Sequence, residues 1–262
     1  MLHKERYILL SFDVEEFDLP LEYQQPIALQ EQLAIGYSGF VQMKDLLTTT
    51  KVPSTLYTTA VFADNFKEEI KELSYNHEIA SHTYSHTIFQ DEDLLNSRIK
   101  LEEITGDKIT GLRMPRMKTV APELVKNAGY TYNSSINPTW IPGRYNNLSE
   151  KRTFSINDNL ITLPVSVSPT LRIPLFWLAF KNFPYAIFLH LAKQTLKKDG
   201  YVNLYFHPWE FTERICDYKL PSYVKSNPEK LFNKIYRLIS DLTKEGDFIT
   251  TSVFLNNMGR SN

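Results

Sequence analysis

The 262 residues include 29 basic and 30 acidic side chains, a net charge of −1, so no field of one sign gathers nucleic acid. With 42% hydrophobic and 23% charged residues the composition is that of a globular protein, which excludes disordered, collagen-like and disulfide-framework chains. The single cysteine, Cys216, makes neither an intramolecular disulfide nor a Cys-based metal cluster. One domain spanning 1–262 suits this length. The N-terminal apolar run, Tyr7 to Leu10 plus Phe12, is too short for a signal peptide, so a cytoplasmic location is expected. The aromatic fraction, 13%, is high and its rings need a place.

In chain order, residues 6–14 (RYILLSFDV) read as a buried strand. Ser38 is placed to cap a helix reaching about Thr49, with Phe40, Val41, Met43, Leu46 and Leu47 as its apolar positions. Residues 54–62 are β-branched and aromatic, the mark of a second strand. Asn65 to Ser74 reads as a helix, and HEIASH as a third strand ending at His82. A helix over 92–105, a strand in KITGLRM, a helix from Pro122 that Gly129 ends, and a strand in YTYNSSI follow. Residues 137–170 are irregular except for a strand at 161–167. Beyond them lie an apolar segment (171–196), a strand (201–207), a helix (228–244) and a last strand (248–254). This βα alternation implies a mostly parallel α/β sheet, open or closed into a barrel. Asp13, His82, Arg113, Ser134 and His207 all fall at C-terminal strand ends, the face where such barrels build active sites.

The chemistry concentrates in two strings. His82 and His86 are four residues apart, a spacing that puts both imidazoles on one side of a helical turn, where they can grip one ion. In Asp13-Val14-Glu15-Glu16, Asp13 and Glu15 share a strand face, so one carboxylate can complete a metal site while the other stays free as a general base. His207, fixed by Pro208, offers a proton donor, and Arg113 can clamp a carboxylate bidentately.

Taken together, these residues resemble the polysaccharide deacetylase family, carbohydrate esterase family four, from Leu9 to about Thr251. The resemblance implies a distorted (β/α)7 barrel, a divalent metal (zinc first, with cobalt, nickel or iron as substitutes) and an acetylated saccharide as substrate. Asp13 in SFDVE is similar to the family's base. The second aspartate of that motif aligns with Val14, so Glu15 becomes the ligand, with Glu16 as fallback. HEIASHTYSH resembles the two-histidine motif and makes His82 and His86 ligands; Asn76 stands where glycine is common, which asks for a left-handed backbone. Arg113-Met114-Pro115 resembles the motif whose arginine orients the base, with Arg116 where an aromatic residue is common. Tyr132-Asn133-Ser134-Ser135 resembles the fourth motif with Asn133 in place of an acid that supports the catalytic histidine; Glu210 is the candidate to compensate. Tyr205-Phe206-His207 resembles the fifth, making His207 the acid for the leaving group, and YFHPWE resembles a branch associated with bacterial surface-polysaccharide gene clusters.

The substrate groove implied by the resemblance takes in Tyr84, Pro115, Asn133, Ser135, Trp140 and Trp209. Two rival activities share the pattern: an amide hydrolase acting on a ureide or cyclic imide, and a glycan-binding protein that has lost catalysis, suggested by Val14 and Asn133. Residues 171–192 have an uncharged stretch of only eleven residues, too short for a spanning helix. They read as a helix packed on the barrel, or as an apolar lip that docks on a bilayer or lipid-linked glycan at the inner membrane face.

Overall fold

The computed structural model describes residues 5–225 and 227–259; residues 1–4, which open the N-terminal stretch read above, lie outside them. Eight consecutive buried residues form the central strand β1 (Tyr7–Val14). Then come α1 (Leu19–Glu22), α2 (Leu29–Thr50), β2 (Thr55–Thr58), α3 (Ala60–Asn65), α4 (Lys67–Ser74), β3 (Glu78–Ser81) and α5 (Glu92–Thr105). The middle of the chain holds β4 (Gly111–Leu112), α6 (Pro122–Asn127), β5 (Tyr132–Asn133), a hairpin of β6 (Trp140–Ile141) and β7 (Tyr145–Asn146), β8 (Ser155–Asn157) and β9 (Leu160–Thr162). It ends with α7 (Trp177–Asn182), α8 (Tyr185–Asp199), β10 (Tyr201–Phe206), α9 (Pro228–Leu242), β11 (Asp247–Phe248) and α10 (Thr251–Gly259).

The main sheet runs β10-β1-β2-β3-β4-β5-β9-β8, parallel throughout except for the β8–β9 hairpin. It curls until the segment after β9 meets β10: Ser166 N–H donates to the Asn203 carbonyl (3.0 Å), and Asn203 N–H donates to Ser166 Oγ (2.8 Å). The result is the distorted α/β barrel of the (β/α)7 type. Along β1, Ile8, Leu10, Phe12 and Val14 join the large core under the helices. Tyr7 and Leu9 point into the barrel, in a smaller cluster with Tyr57 and Tyr132. The two-residue period therefore carries Ser11 and Asp13 to the barrel interior.

Several elements differ from the sequence reading, each for a packing reason. Ser38 is interior to α2, which begins at Leu29. Gly36 and Gly39 are sites of close approach within the helix: a Cβ on Gly36 would stand 2.6 Å from the Glu15 carbonyl oxygen, and one on Gly39 2.0 Å from that of Pro208. The strand at 54–62 stops at Thr58, because Thr59 caps α3 by accepting from Phe62 N–H (3.2 Å). The expected last strand, 248–254, shrinks to β11. It pairs with β1 only at Tyr7 and Ile8, since β2 occupies that edge from Ser11 onward. The remainder becomes α10, whose Phe254 packs on Tyr7 and Tyr201 inside the barrel. Asn76 keeps a negative φ; the left-handed residue near the histidine motif is Thr83, at φ 64°.

The aromatic segment packs largely as core, with Phe176, Phe180 and Phe188 buried, while Leu171 and Ile187 remain exposed. Among the described residues no helix is long and apolar enough to cross a membrane.

Candidate active site and metal centre

The C-terminal ends of β1, β3 and β10 open into a cavity of about 280 Å³, with Asp13, Glu15, His82, His86 and His207 in its wall. The two histidines meet across a loop rather than on a helical turn. Thr83, β-branched and left-handed, reverses the chain between them, held by its Oγ1 donating to the Ser85 carbonyl (3.1 Å) and by Ser97 Oγ donating to its own carbonyl (2.8 Å).

Each imidazole is oriented from behind. His82 Nδ1 donates to the Arg113 carbonyl (2.8 Å) and His86 Nδ1 to Asp18 Oδ1 (2.7 Å). Both Nε2 atoms are thereby turned toward Glu15 Oε2, at 2.9 and 3.0 Å. Oε2 is buried and accepts no hydrogen bond, whereas Oε1 accepts from Trp209 Nε1 (2.9 Å). Three lone-pair donors thus converge on one point that needs positive charge. Burial disfavours charge on Glu15, yet the imidazoles around it hold its carboxyl well below the usual range. Burial likewise lowers His86, but Glu15 and Asp18 together raise it to about 9. Glu15, His82 and His86 form a group with ligand atoms within 4.8 Å of one another. This set of two imidazole nitrogens and one carboxylate oxygen fits zinc, cobalt, nickel or iron.

Glu16 is engaged elsewhere. Its carboxylate accepts from Thr59 Oγ1 (2.6 Å), Ser85 Oγ (3.1 Å) and His86 N–H (2.9 Å), which pins the histidine loop to β1.

Arg113 is fully buried. Its Nη1 donates to Asp13 Oδ1 (2.6 Å) and Ser11 Oγ (3.0 Å), its Nε and Nη2 reach Ser134, and its guanidinium lies 3.9 Å over the Tyr57 ring. Desolvation opposes the charge on Arg113, and Asp13 outweighs it. Asp13 Oδ2 faces His207 Nε2 at 3.8 Å. The His207 ring stacks on Trp209 (4.7 Å) and meets the edge of Trp177 (5.0 Å).

Two further acidic residues belong to the site: Asp18, which carries no motif in the sequence, and Glu210, the candidate to compensate for Asn133. Asp18 backs His86 and is itself held by Arg116 Nη2 (2.8 Å), whose Nε donates to Glu22 (2.6 Å). Burial opposes ionisation of Asp18, but His86 and Arg116 keep its carboxyl below the ordinary value. Glu210 Oε1 accepts from His207 N–H (2.9 Å) and lies 3.3 Å from Nδ1, and Lys181 Nζ faces Oε2 at 3.0 Å. A lone lysine inside LFWLAFKNF was the available signal.

Of the residues expected in the substrate groove, only Trp209 lines the cavity. Tyr84 lies in a shallow depression over α5, because the turn at Thr83 carries it away from the ligands. Pro115 is buried beneath the turn that places Arg116. Ser135 Oγ accepts from Met114 N–H (2.8 Å) and donates to Asn133 Oδ1, so this pair ties β5 to the chain after β4 and Asn133 does not take the support of His207. Trp140 is exposed on the hairpin, and its neighbours Ile141, Pro142, Arg144 and Tyr145 face the cavity instead. Leu19, Leu178 and Val224 give the outer wall an apolar character.

Residues 4–133 match the sequence model of the polysaccharide deacetylases. A putative polysaccharide deacetylase from Mycobacterium smegmatis has a similar structure, with TM-score 0.65 and 17% identity over 100% of this chain and 92% of that one. Puue allantoinase gives 0.64 and 15% over 96% and 89%, and a probable polysaccharide deacetylase from Pseudomonas aeruginosa PAO1 gives 0.62 and 15% over 92% and 86%. At these identities the likeness is one of fold. Comparison with curated protein sequences gives no match.

Proposed function

Because the chain belongs to the polysaccharide deacetylase family, we propose that it is a metal-dependent hydrolase that removes acetyl groups from an N- or O-acetylated saccharide. The observation that carries this reading is the convergence of His82 Nε2, His86 Nε2 and an unpartnered Glu15 Oε2 beside Asp13 and His207 in one cavity. A bound divalent ion, zinc first, supplies Lewis acidity for the acetyl carbonyl and for the attacking water.

The chain's own residues do the rest. Arg113 holds Asp13 by Oδ1 and leaves Oδ2 free to take a proton from the water. His207, on the far side of Oδ2, gives its Nε2 proton to the departing sugar nitrogen or oxygen. Trp177 and Trp209 fix that ring, and Trp209 also steadies Glu15, which makes it a positioning residue for both groups. The saccharide enters past Arg116, Arg144 and Tyr145.

The test is acetate release from acetylated chito- and xylo-oligosaccharides by protein stripped of metal and reloaded with zinc, cobalt, nickel or iron. Release only after reloading supports the reading. The fold likeness to an allantoinase makes allantoin a necessary second substrate: its hydrolysis without acetate release would replace the sugar by a ureide. Glycan binding with neither metal uptake nor turnover would favour a binding protein.

A further inference from the structure

Lys181 and Glu210 form an ion pair sealed from solvent, with side chains 3% and 1% exposed. Burying two charges is costly and weak evidence for stability alone, so the partners that they serve matter. Glu210 uses Oε1 on His207 twice, accepting from the backbone N–H and facing Nδ1, while Oε2 faces only Lys181. Lys181 Nζ also donates to the Val224 carbonyl (2.6 Å) and lies 5.0 Å over the Trp177 ring, whose edge meets His207. The residue three places after His207 and a helix from the aromatic segment therefore surround one imidazole. Asn133, where an acid was expected, is bonded to Ser135.

We propose that Glu210 and Lys181 are a positioning pair that fixes the tautomer and aim of His207, making α7 part of the acid–base machinery. The proposal deepens the deacetylase reading and rests on it for the role of His207. A carboxylate at Nδ1 keeps a proton there in the neutral ring, so the second proton, the one the imidazolium gives to the leaving atom, is carried on Nε2, the nitrogen that faces Asp13. The ammonium cancels the carboxylate's charge, which lets the carboxylate sit in a dry pocket. An amide at 210 offers one oxygen to face both Lys181 and the His207 donors, and its NH2 group meets either a cation or a donor.

The test combines ring-nitrogen NMR of histidine-labelled protein with zinc-reloaded acetate release from acetylated chito-oligosaccharides, whose departing amine needs the His207 proton. In the wild type the His207 signal, assigned by its loss in His207→Gln, is expected to carry its proton on Nδ1. In Glu210→Gln that proton leaves Nδ1, and kcat falls about 100-fold with KM unchanged. Lys181→Met lowers the unfolding temperature, and Lys181→Met with Glu210→Gln restores it without restoring kcat. Recovery of kcat together with stability in the double variant, or an unchanged Nδ1 proton in Glu210→Gln, would overturn the proposal. If wild-type protein releases no acetate, the deacetylase reading fails while the tautomer still decides the pair.

Discussion

Two histidines in this cavity are backed by the same device at different depths. Behind His86 stands Asp18, tied to Arg116; behind His207 stands Glu210, tied to Lys181. Arg116 is one-third exposed and shares itself with Glu22 and the His86 carbonyl, whereas Lys181 is enclosed. The first pair sits where solvent can screen and replace it, so it tunes a ligand without being indispensable. The second has no substitute solvent, so removing one partner strands a charge. Depth, rather than the kind of contact, decides how much each pair controls.

Single substitutions of the cations test that contrast most sharply. Lys181→Met should lower folding stability by about 3–5 kcal/mol, and Arg116→Met by about 1 kcal/mol or less, both read from denaturant unfolding. Equal losses would erase the distinction. A smaller contrast separates the carboxylates: Asp18→Asn should weaken zinc affinity about 10- to 100-fold in competition with a chromophoric chelator. Glu210→Gln should leave that affinity unchanged. The pH dependence of metal-free protein is subtler. His86, raised to about 9 when folded, contributes stability fully present below about 6.5 and lost as pH rises through about 9. Asp18 and Glu210 are depressed, so their contributions hold above the ordinary carboxylate value of about 4 and are lost as acid protonates them. Zinc should flatten the alkaline loss, because ligated His86 is neutral at Nε2; an unchanged slope by thermal unfolding would count against His86 as a ligand. The least effect belongs to Arg144→Ala at the rim, within about 0.5 kcal/mol of wild type.

The strand-end polar residues were legible because a two-residue period and an abrupt apolar-to-polar change mark both the face and the end of β1, β3 and β10. Asp13 and Glu15 follow from that period, and the three-atom cluster follows from Glu15. What escaped depends on turns. No periodicity announces that Thr83 reverses the chain, and that reversal sends Tyr84 out of the cavity while returning His86 to it. Asp18 reaches His86 from a loop. Lys181 interrupts an apolar run, and a charge that does so is the one with most need of a buried partner. The strand expected at 248–254 failed for a different reason: β-branched residues propose a strand, but only a free edge completes one.

The glycine face of α2 has a consequence for dimension. Asp13 and His207 lie far apart in the chain, and their facing atoms stand 3.8 Å apart. Two residues past the first, the Glu15 carbonyl rests on Gly36; one residue past the second, the Pro208 carbonyl rests on Gly39. The helix is thus a gauge block between two jaws, and its calibration lies in two absent methyl groups. Thickening it by one carbon at Gly39 would shift one jaw and leave every reacting group chemically intact.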